Sequence, residues 1–173
     1  MYQIIQAPNE ILRTVTKPVD LKMPGLEKII AEMKKILINQ ADPEGVGLAA
    51  NQIGLPYKLF ITRTGVFINP EILEHSEEFQ IEKKKSPLEG CLSLPKYYGV
   101  VKRYKWVKIK YFDGSARGRS DVFSGFAAVV IQHEMDHLDG KIFVERILEQ
   151  QGSLFKITGK DNKNKDIWEE VEI

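Results

Sequence analysis

The chain is organised around one stretch, Ser124-Gly-Phe-Ala-Ala-Val-Val-Ile-Gln-His-Glu-Met-Asp-His-Leu-Asp-Gly140. This stretch predicts a helix of about four turns, since an α-helix has 3.6 residues per turn. Ser124 is suited to cap its start, and Gly140 is suited to the left-handed conformation that ends a helix. His133 and His137 are four residues apart, so both imidazoles lie on one face and can hold one metal ion. Glu134 can reach a water at that metal without being a ligand.

The alternative is a helix that carries two histidines by chance. The chain has three histidines in all, and two of them fall at the spacing of a metal site with a glutamate in second place. We therefore interpret His133-Glu-Met-Asp-His137 as two metal ligands and a glutamate that reaches a metal-bound water. A third ligand is expected elsewhere in the chain.

The composition is that of an ordinary globular protein. Its 173 residues suit a single domain with a sizeable core, and 43% are hydrophobic and 28% charged. Lys and Arg number 25 against 24 Asp and Glu, so we expect no binding to nucleic acid or to an anionic membrane. No apolar run is long enough to span a bilayer, and no signal-peptide pattern begins at residue 1. Cys91 is the only cysteine, which excludes an intrachain disulfide and fits a reducing compartment.

The periodicity predicts an α+β fold, with mainly antiparallel sheets around the C-terminal metal-binding helix and one N-terminal helix packed outside. An extended arm with a short helical piece covers residues 1–20, and apolar residues at three- and four-residue steps predict a helix over 24–40. Strands then come before the metal-binding helix, which favours this class. Pro70 is expected to interrupt them, and Asp113-Gly114 marks a turn. The predicted strands are 58–62, 66–69, 79–82, 99–102, 106–112 and 120–123.

Two further segments carry residues suited to a site. In Glu44-Gly-Val-Gly-Leu-Ala-Ala-Asn-Gln-Ile-Gly54, glycines allow close backbone approach and Gln52 has an amide that can face a substrate carbonyl, although a tight turn explains the segment equally well. In Glu89-Gly-Cys-Leu-Ser-Leu-Pro95, Cys91 lies in a loop or at a strand end. A single cysteine is more often a buried apolar residue. With the two histidines, however, it completes a set that leaves a tetrahedral metal one open position and would be held as thiolate.

Three segments together resemble the sequence motifs of the peptide deformylases in order and spacing. They are Gly45-Val-Gly-Leu-Ala-Ala-Asn-Gln52, Glu89-Gly-Cys-Leu-Ser93 and Gln132-His-Glu-Met-Asp-His137. The likeness extends from the Ala7-Pro-Asn-Glu-Ile-Leu-Arg13 arm to about Arg146. Spacing alone indicates only a metal hydrolase. The resemblance implies the substrate, the N-formyl group on the starting methionine of new polypeptides.

The resemblance also implies roles for single residues. Glu134 matches the residue that takes a proton from the metal-bound water and passes it to the leaving amine. The Gln52 amide and the Leu92 backbone N–H match the groups that stabilise the oxyanion. Gly47 would let the backbone pair with an extended peptide. The metal ligands are Cys91, His133 and His137, and the positions beside the substrate are Val46, Gly47, Glu89, Val129 and Val130.

Two features depart from the common pattern. Many bacterial members carry an arginine where this chain has Tyr98, and Arg103 is a second basic position a few residues later. Asp136 lies beside the ligand face of the helix, so we expect it to support the site in a pair with Arg103 and not to be a ligand.

The C-terminal tail differs from the helix of several bacterial members. Residues 153–158 and 167–173 are expected to be strands around a polar turn. We therefore expect residues 1–173 to be one domain, with 153–173 as a divergent tail in which Trp168 is partly buried.

The family also implies a cofactor, partners and a location. We expect one divalent ion, Fe²⁺ in the cell and Zn²⁺, Ni²⁺ or Co²⁺ in purified protein, since the ligand types do not decide between them. The expected partners are formyl-methionyl nascent peptides and, transiently, the ribosome. A monomer in a bacterial-type cytoplasm is expected, or in an organelle for a trimmed eukaryotic form.

Two alternatives remain open at this stage. A zinc endopeptidase is one, since His-Glu-x-x-His helices commonly serve proteases; Cys91 would then be dispensable. The other is an inactive relative kept as a peptide- or ribosome-binding module, which the intact set of matched positions disfavours.

Overall fold

The computed structural model describes residues 2–40, 44–80 and 88–172. These ranges contain three α-helices and nine β-strands, and the strand ladders are all antiparallel. The predicted α+β class with mainly antiparallel sheets is confirmed. The helices are α1 Leu26–Ile38, α2 Gly125–Leu138 and α3 Phe143–Glu149. The strands are β1 Gly47–Ala49, β2 Leu59–Thr62, β3 Val66–His75, β4 Glu89–Cys91, β5 Leu94–Gly99, β6 Trp106–Phe112, β7 Gly118–Ser124, β8 Leu154–Lys160 and β9 Asp166–Val171.

Two sheets form the framework of the molecule. Their strand orders are β1-β2-β3-β6-β7 and β4-β5-β8-β9. Within the described residues the first strand of each sheet is an edge, because β1 pairs only with β2 and β4 pairs only with β5. Residues of both edge strands line one cavity beside α2. Across the described ranges, no helix has the length and apolarity needed to cross a membrane.

Strand β2 separates two apolar cores, because successive side chains in a strand point to opposite faces. Leu59 and Ile61 pack in one core with Met33 of α1. Phe60 packs in the other with Ile131 of α2. Full burial of one such side chain stabilises the fold by roughly 1.5–3 kcal/mol. The N-terminal helix therefore lies outside the first sheet, as predicted, and α2 lies on the opposite face.

Helix α2 is buried from Ala128 to Leu138 except at His133, which is partly accessible. Ser124 occupies the N-cap with an extended backbone, but its side chain makes no capping hydrogen bond, so that expectation was wrong. Gly140 has φ +72°, which confirms the left-handed end of the helix. A Cβ at this position would lie 2.4 Å from the carbonyl oxygen of Arg13, so the close approach also requires glycine.

Strand β3 runs through Pro70, where the sequence predicted an interruption. Its register with β6 shifts between Ile68 and Glu71, and such a bulge accommodates a residue without an N–H. Asn69 takes φ +51° there, and its side chain binds both the N–H and the carbonyl of Val19. The prediction was wrong because a bulge absorbs the proline without ending the strand.

The strand predicted at 99–102 is displaced, since β5 ends at Gly99. Val101 is buried in a cluster with Phe143 of α3. The N–H of Lys102 donates to the side chain of Gln150 and not to another strand. The apolar residues here reflect packing against α3, a helix that the sequence analysis did not predict.

Only the first half of the strand predicted at 79–82 is described, and it contains a single bridge. Phe79 pairs with Tyr104 in an isolated antiparallel bridge, and residues 81 and 82 lie outside the described residues. Strands β1 and β4 were not predicted, because three residues are too few for a periodic signal.

The tail forms the two predicted strands. β8 pairs with β5, and β9 pairs with β8, so the tail extends the second sheet. Leu154 is buried in the cluster of Phe143 and Ile147. Trp168 keeps 43% of its surface exposed and packs edge-to-face on Tyr98 with ring centroids 5.2 Å apart, so its burial is partial.

Ending the chain after Gln151 should destabilise the protein and spare the metal ligands. The truncation removes Leu154, which is 3% exposed, and a buried leucine lost from a core costs about 2–5 kcal/mol. The melting temperature should therefore fall by at least about 5 °C, with metal content unchanged. A chain ending at Val171 is the control. Equal melting of the two would mean that the tail contributes no packing.

Candidate metal centre

Three possible metal ligands from two elements meet beside α2. Cys91 ends β4, and His133 and His137 lie one turn apart on α2. Their ligand atoms lie within 4.8 Å of one another. Cys91 and His137 are buried, and His133 is partly accessible. The structure thus places the three predicted ligands where one ion could bridge them.

The sulfur of Cys91 is surrounded by donors. Nε2 of His137 lies 3.2 Å from Sγ, and the Gln52 Nε2 and the Ser93 backbone N–H each lie 3.4 Å from it. Burial alone would raise the pKa of the Cys91 thiol, but His137 and His133 outweigh it and hold the pKa well below its ordinary value. Hydrogen bonds to the charged form stabilise it, so the site favours a thiolate.

His133 has its orientation fixed by a carboxylate. Its Nδ1 lies 3.0 Å from Oε2 of Glu89, which leaves Nε2 for the ligand group. Burial lowers the pKa of His133, but Cys91 and Glu89 outweigh it and place that pKa well above its ordinary value. Positive charge is therefore favoured beside the sulfur, which is the environment that a cation requires.

Glu134 lies one residue after the first histidine, and its carboxyl group is buried. The residue is 3% exposed, and Oε2 has no hydrogen-bond partner among the described residues. Burial, partly offset by His133 and His137, raises the pKa of Glu134 to about 7. A carboxyl group with such a pKa can both accept and release a proton near neutral pH. Gly47 makes room for it, because a Cβ there would lie 2.3 Å from Oε1 of Glu134.

A buried ion-pair network supports the centre. Arg103 donates from Nε and Nη2 to the two oxygens of Glu89, each at 2.8 Å, and from Nη1 to Asp136 at 2.5 Å. Asp136 also pairs with Arg146 and is not a member of the ligand group. The predicted pairing of Arg103 with Asp136 is confirmed. Because Arg103 is 4% exposed, it is not a basic residue facing a peptide.

The glycine-rich segment before β2 contributes two amides to the site. The N–H of Ala49 donates to Oε1 of Gln52 at 2.9 Å, and Nε2 of Gln52 donates to the Ser93 hydroxyl at 3.1 Å. The Gln52 amide nitrogen therefore faces Cys91. Asn51 donates to the carbonyl of His137 at 2.5 Å, a role that the sequence analysis did not assign.

The centre opens into a cavity of about 210 Å³. His137, 1% exposed, is the one predicted site residue that does not line it. Phe126 and Leu88 also line the cavity and were not predicted. Phe126 precedes His133 by seven residues, or two turns, so helical spacing could have indicated it. The predicted residues in the wall are Val46, Gly47, Gln52, Glu89, Cys91, Leu92, Val129, Val130, His133 and Glu134.

The sequence model of the polypeptide deformylase family matches residues 1–152. The chain belongs to this family. The peptide deformylase of Mesorhizobium japonicum is 36% identical over 91% of this chain and 93% of its own length. That of Brucella suis is 35% identical, with 83% of each chain covered.

Solved deformylase structures share the fold. The peptide deformylase of Thermotoga maritima superposes with a TM-score of 0.75 at 35% identity, covering 84% of this chain and 97% of the other. The enzyme of Synechococcus elongatus in complex with actinonin gives a TM-score of 0.75 at 34% identity, covering 84% and 78%.

The family assignment establishes the reaction. The chain is a hydrolase of the peptide deformylase type, which removes the N-formyl group from new polypeptides. The family is metal-dependent, and Cys91, His133 and His137 form a group that could bind the ion.

Replacing Asp136 with Asn should weaken the deformylase centre modestly. The change removes a charge from a buried pair with Arg103, which should lower the free energy of unfolding by about 1–3 kcal/mol. Metal affinity should fall by roughly tenfold, because Arg103 orients Glu89 and through it His133. Denaturant unfolding and metal titration measure both effects. The control is Asp139→Asn, an exposed aspartate after the same helix, and identical behaviour of the two variants would contradict the supporting role.

Proposed function

We propose that deformylation takes place in this cavity, with Cys91, His133 and His137 holding one divalent ion and Glu134 carrying the proton. The observation that carries the proposal is the meeting of three ligand atoms within 4.8 Å of one another, beside a buried carboxyl group whose Oε2 lacks a partner. A chance cluster of surface residues would not bury Cys91, Glu134 and His137 together.

The residues present fit a divalent ion. A thiolate and two imidazoles suit Fe²⁺, Zn²⁺, Ni²⁺ and Co²⁺ alike, and the favourable environment for positive charge beside Cys91 supports a cation there. When bound, such an ion supplies an activated water nucleophile and polarises the formyl oxygen. We propose Fe²⁺ as the ion in the cell.

Glu134 moves the proton. It accepts the proton that the attacking water loses and delivers it to the amine nitrogen as the bond from the formyl carbon to nitrogen breaks, releasing formate and a free N-terminus. Its pKa of about 7 in the buried site allows it both to accept the proton from water and to release it to the amine.

Gln52 and Leu92 stabilise the oxyanion that forms on the formyl carbon. The Gln52 side chain is held by the N–H of Ala49, so its amide nitrogen points to the cavity wall. Leu92 follows β4 directly and lines the same cavity. Preorganised donors of this kind typically change rates by about 10²–10³-fold each.

The peptide binds between the free edges of β1 and β4. The carbonyl of Val46 accepts a hydrogen bond from the backbone N–H of Arg63, which directly follows β2. Because hydrogen-bonded and non-hydrogen-bonded residue pairs alternate along an antiparallel ladder, the N–H and carbonyl of Gly47 point away from β2. An extended peptide can therefore add to this edge. Val46, Val129 and Val130 provide an apolar wall for the methionine side chain. Glu89 contacts the peptide through its backbone, since its carboxylate is engaged by Arg103 and His133.

We also propose the domain organisation, the oligomeric state, the partners and the location of the protein. Residues 1–173 act as one domain, since the tail strand β8 shares a core with α3. The protein works as a monomer on formyl-methionyl nascent chains, in transient contact with the ribosome. We place it in a bacterial-type cytoplasm, or in an organelle if the source is eukaryotic, in keeping with the bacterial relatives.

Formate release from a formyl-Met-Ala-Ser peptide tests this function against that of an endopeptidase. Metal-loaded protein should release formate and the intact tripeptide with a free amine. The same peptide carrying an acetyl group, and longer peptides without a formyl group, should remain uncut. Cleavage of internal bonds without formate would overturn the proposal.

The identity of the ion predicts sensitivity to air. The Cys91 sulfur is the oxidisable ligand of the set, so we expect the iron-loaded protein to lose activity in air while the Cys91 peptide gains oxygen mass. A nickel-loaded sample, prepared identically, should persist. Decay of the iron form with an unmodified Cys91 peptide would contradict this explanation.

A further inference from the structure

Tyr98 lies in the wall of the catalytic cavity and is packed from two sides. In β5 it pairs with Gly90 of β4, and a Cβ at Gly90 would lie 2.6 Å from Cε1 of Tyr98. The ring therefore covers the backbone directly before Cys91. Trp168 of β9 also meets the ring edge-to-face, with centroids 5.2 Å apart and ring planes at 65°. Trp168 thus helps to hold the Tyr98 ring in this part of the wall.

The segment that carries Trp168 lies beyond residues 1–152, the part of the chain that the family model matches. It reaches the cavity because β8 adds to β5, with Phe155 opposite Tyr98, and β9 then adds to β8, with Trp168 opposite Ile157. The tail therefore supports a wall of the substrate cavity from behind. Trp168 does not itself line the cavity, so any effect on the peptide passes through Tyr98.

Two exposed apolar residues share the cavity wall with Tyr98. Leu88 and Phe126 line the same cavity and are 42% and 61% exposed. Among the described residues no lysine or arginine lines this cavity, whereas Glu44 does. An apolar or aromatic side chain can pack against these three residues. The carboxylate of Glu44 is paired with Arg63, so an acidic side chain is disfavoured because it would lose water against apolar walls that offer it no cation.

We propose that Tyr98, positioned by Trp168, forms with Leu88 and Phe126 a subsite for an apolar or aromatic side chain that follows the formyl-methionine. The proposal rests on the proposed function and adds a preference within the peptide to it. Trp168 is a positioning residue, and Tyr98 is the residue of the pair that touches the peptide. Through this pair, the tail sets part of the specificity of the enzyme.

The test compares KM and kcat for two peptide series, formyl-Met-Ala-Xaa and formyl-Met-Xaa-Ala, with Phe, Ala or Glu at Xaa. In at least one series the unaltered, metal-loaded protein should have a lower KM for Phe than for Ala, and the highest KM for Glu. Trp168→Ala should reduce the ratio of the Ala KM to the Phe KM by about three- to tenfold, the effect of one lost aromatic contact, with a smaller change in kcat. Trp168→Phe should restore the ratio.

Ile167→Ala is the matched control, because Ile167 precedes Trp168 in β9 and is equally exposed at 43%. Its KM ratio should equal that of the unaltered protein. Melting temperatures check folding, and Trp168→Leu, which keeps an apolar residue in the strand, replaces the alanine variant if that variant unfolds. A KM ratio insensitive to Trp168, or one lowered equally by Ile167→Ala, would overturn the subsite. If the unaltered protein released formate from no peptide, the proposed function would fall, and the subsite with it.

Discussion

The Glu134→Gln protein will bind its metal ion as the unaltered protein does and release formate about 10²–10⁴ times more slowly. Glutamine keeps the shape of the side chain but cannot accept the proton of the attacking water. Glu134 is 3% exposed and its Oε2 has no partner among the described residues, so no described residue is hydrogen-bonded to this oxygen and ready to replace it. The loss should appear in kcat, with KM little changed.

Elemental analysis and formate assays on the same samples separate this effect from metal loss. Glu27→Gln removes the same charge from an exposed position on α1 and should leave both quantities unchanged. Full activity of Glu134→Gln at equal metal content would show that another group carries the proton.

The Gly47→Ala protein will lose activity by about a hundredfold or more. The added Cβ would lie 2.3 Å from Oε1 of Glu134, so the carboxyl group must move, and a displacement of about 1 Å can cost on the order of 100-fold in rate. The methyl group also belongs to β1, the strand to which we propose that the peptide adds. KM should therefore rise as kcat falls.

Gly118→Ala is the control for this change. A Cβ at Gly118 would meet only the ring of Phe112, at an ordinary distance of 3.8 Å, and the residue lies in β7 away from the cavity. Its activity should match that of the unaltered protein. If Gly47→Ala kept normal kcat and KM, neither the position of Glu134 nor the peptide edge would depend on this glycine.

The metal-binding helix could be predicted because the residues that identify it are close together in the sequence. His133 and His137 meet on one face by helix geometry alone, and the burial of α2 confirms that the helix is central. The third ligand is different, because Cys91 comes from a strand of three residues with no periodic signal. Its place in the site became an expectation only through combination with the two histidines and through the family motifs.

Two errors in the strand predictions share one physical cause, since tertiary packing overrode a local signal. Pro70 was expected to break a strand, but a bulge and the side chain of Asn69 accommodate it. The valines at 100 and 101 suggested a strand, yet Val101 packs against α3. In each case the deciding contact comes from a residue distant in sequence.

Arg103 shows the same limit within the site. Its pairing with Asp136 was predicted from helix geometry, but its pairing with Glu89 was not, because no local pattern places Glu89 beside it. For the tail, the strands could be predicted but one of their contacts could not. Its strands were predictable from their alternation, but their contact with Tyr98 was not, because the register of β8 on β5 is set by packing.

Formate release by metal-free protein titrated with Ni²⁺ is the most direct test of the claim that Cys91, His133 and His137 hold the ion on which the reaction depends. Activity on formyl-Met-Ala-Ser should rise in proportion to bound nickel and level off at one ion per chain, and the Cys91→Ala protein should bind nickel much more weakly. Full formate release by the metal-free protein, or an unchanged titration curve for Cys91→Ala, would contradict it.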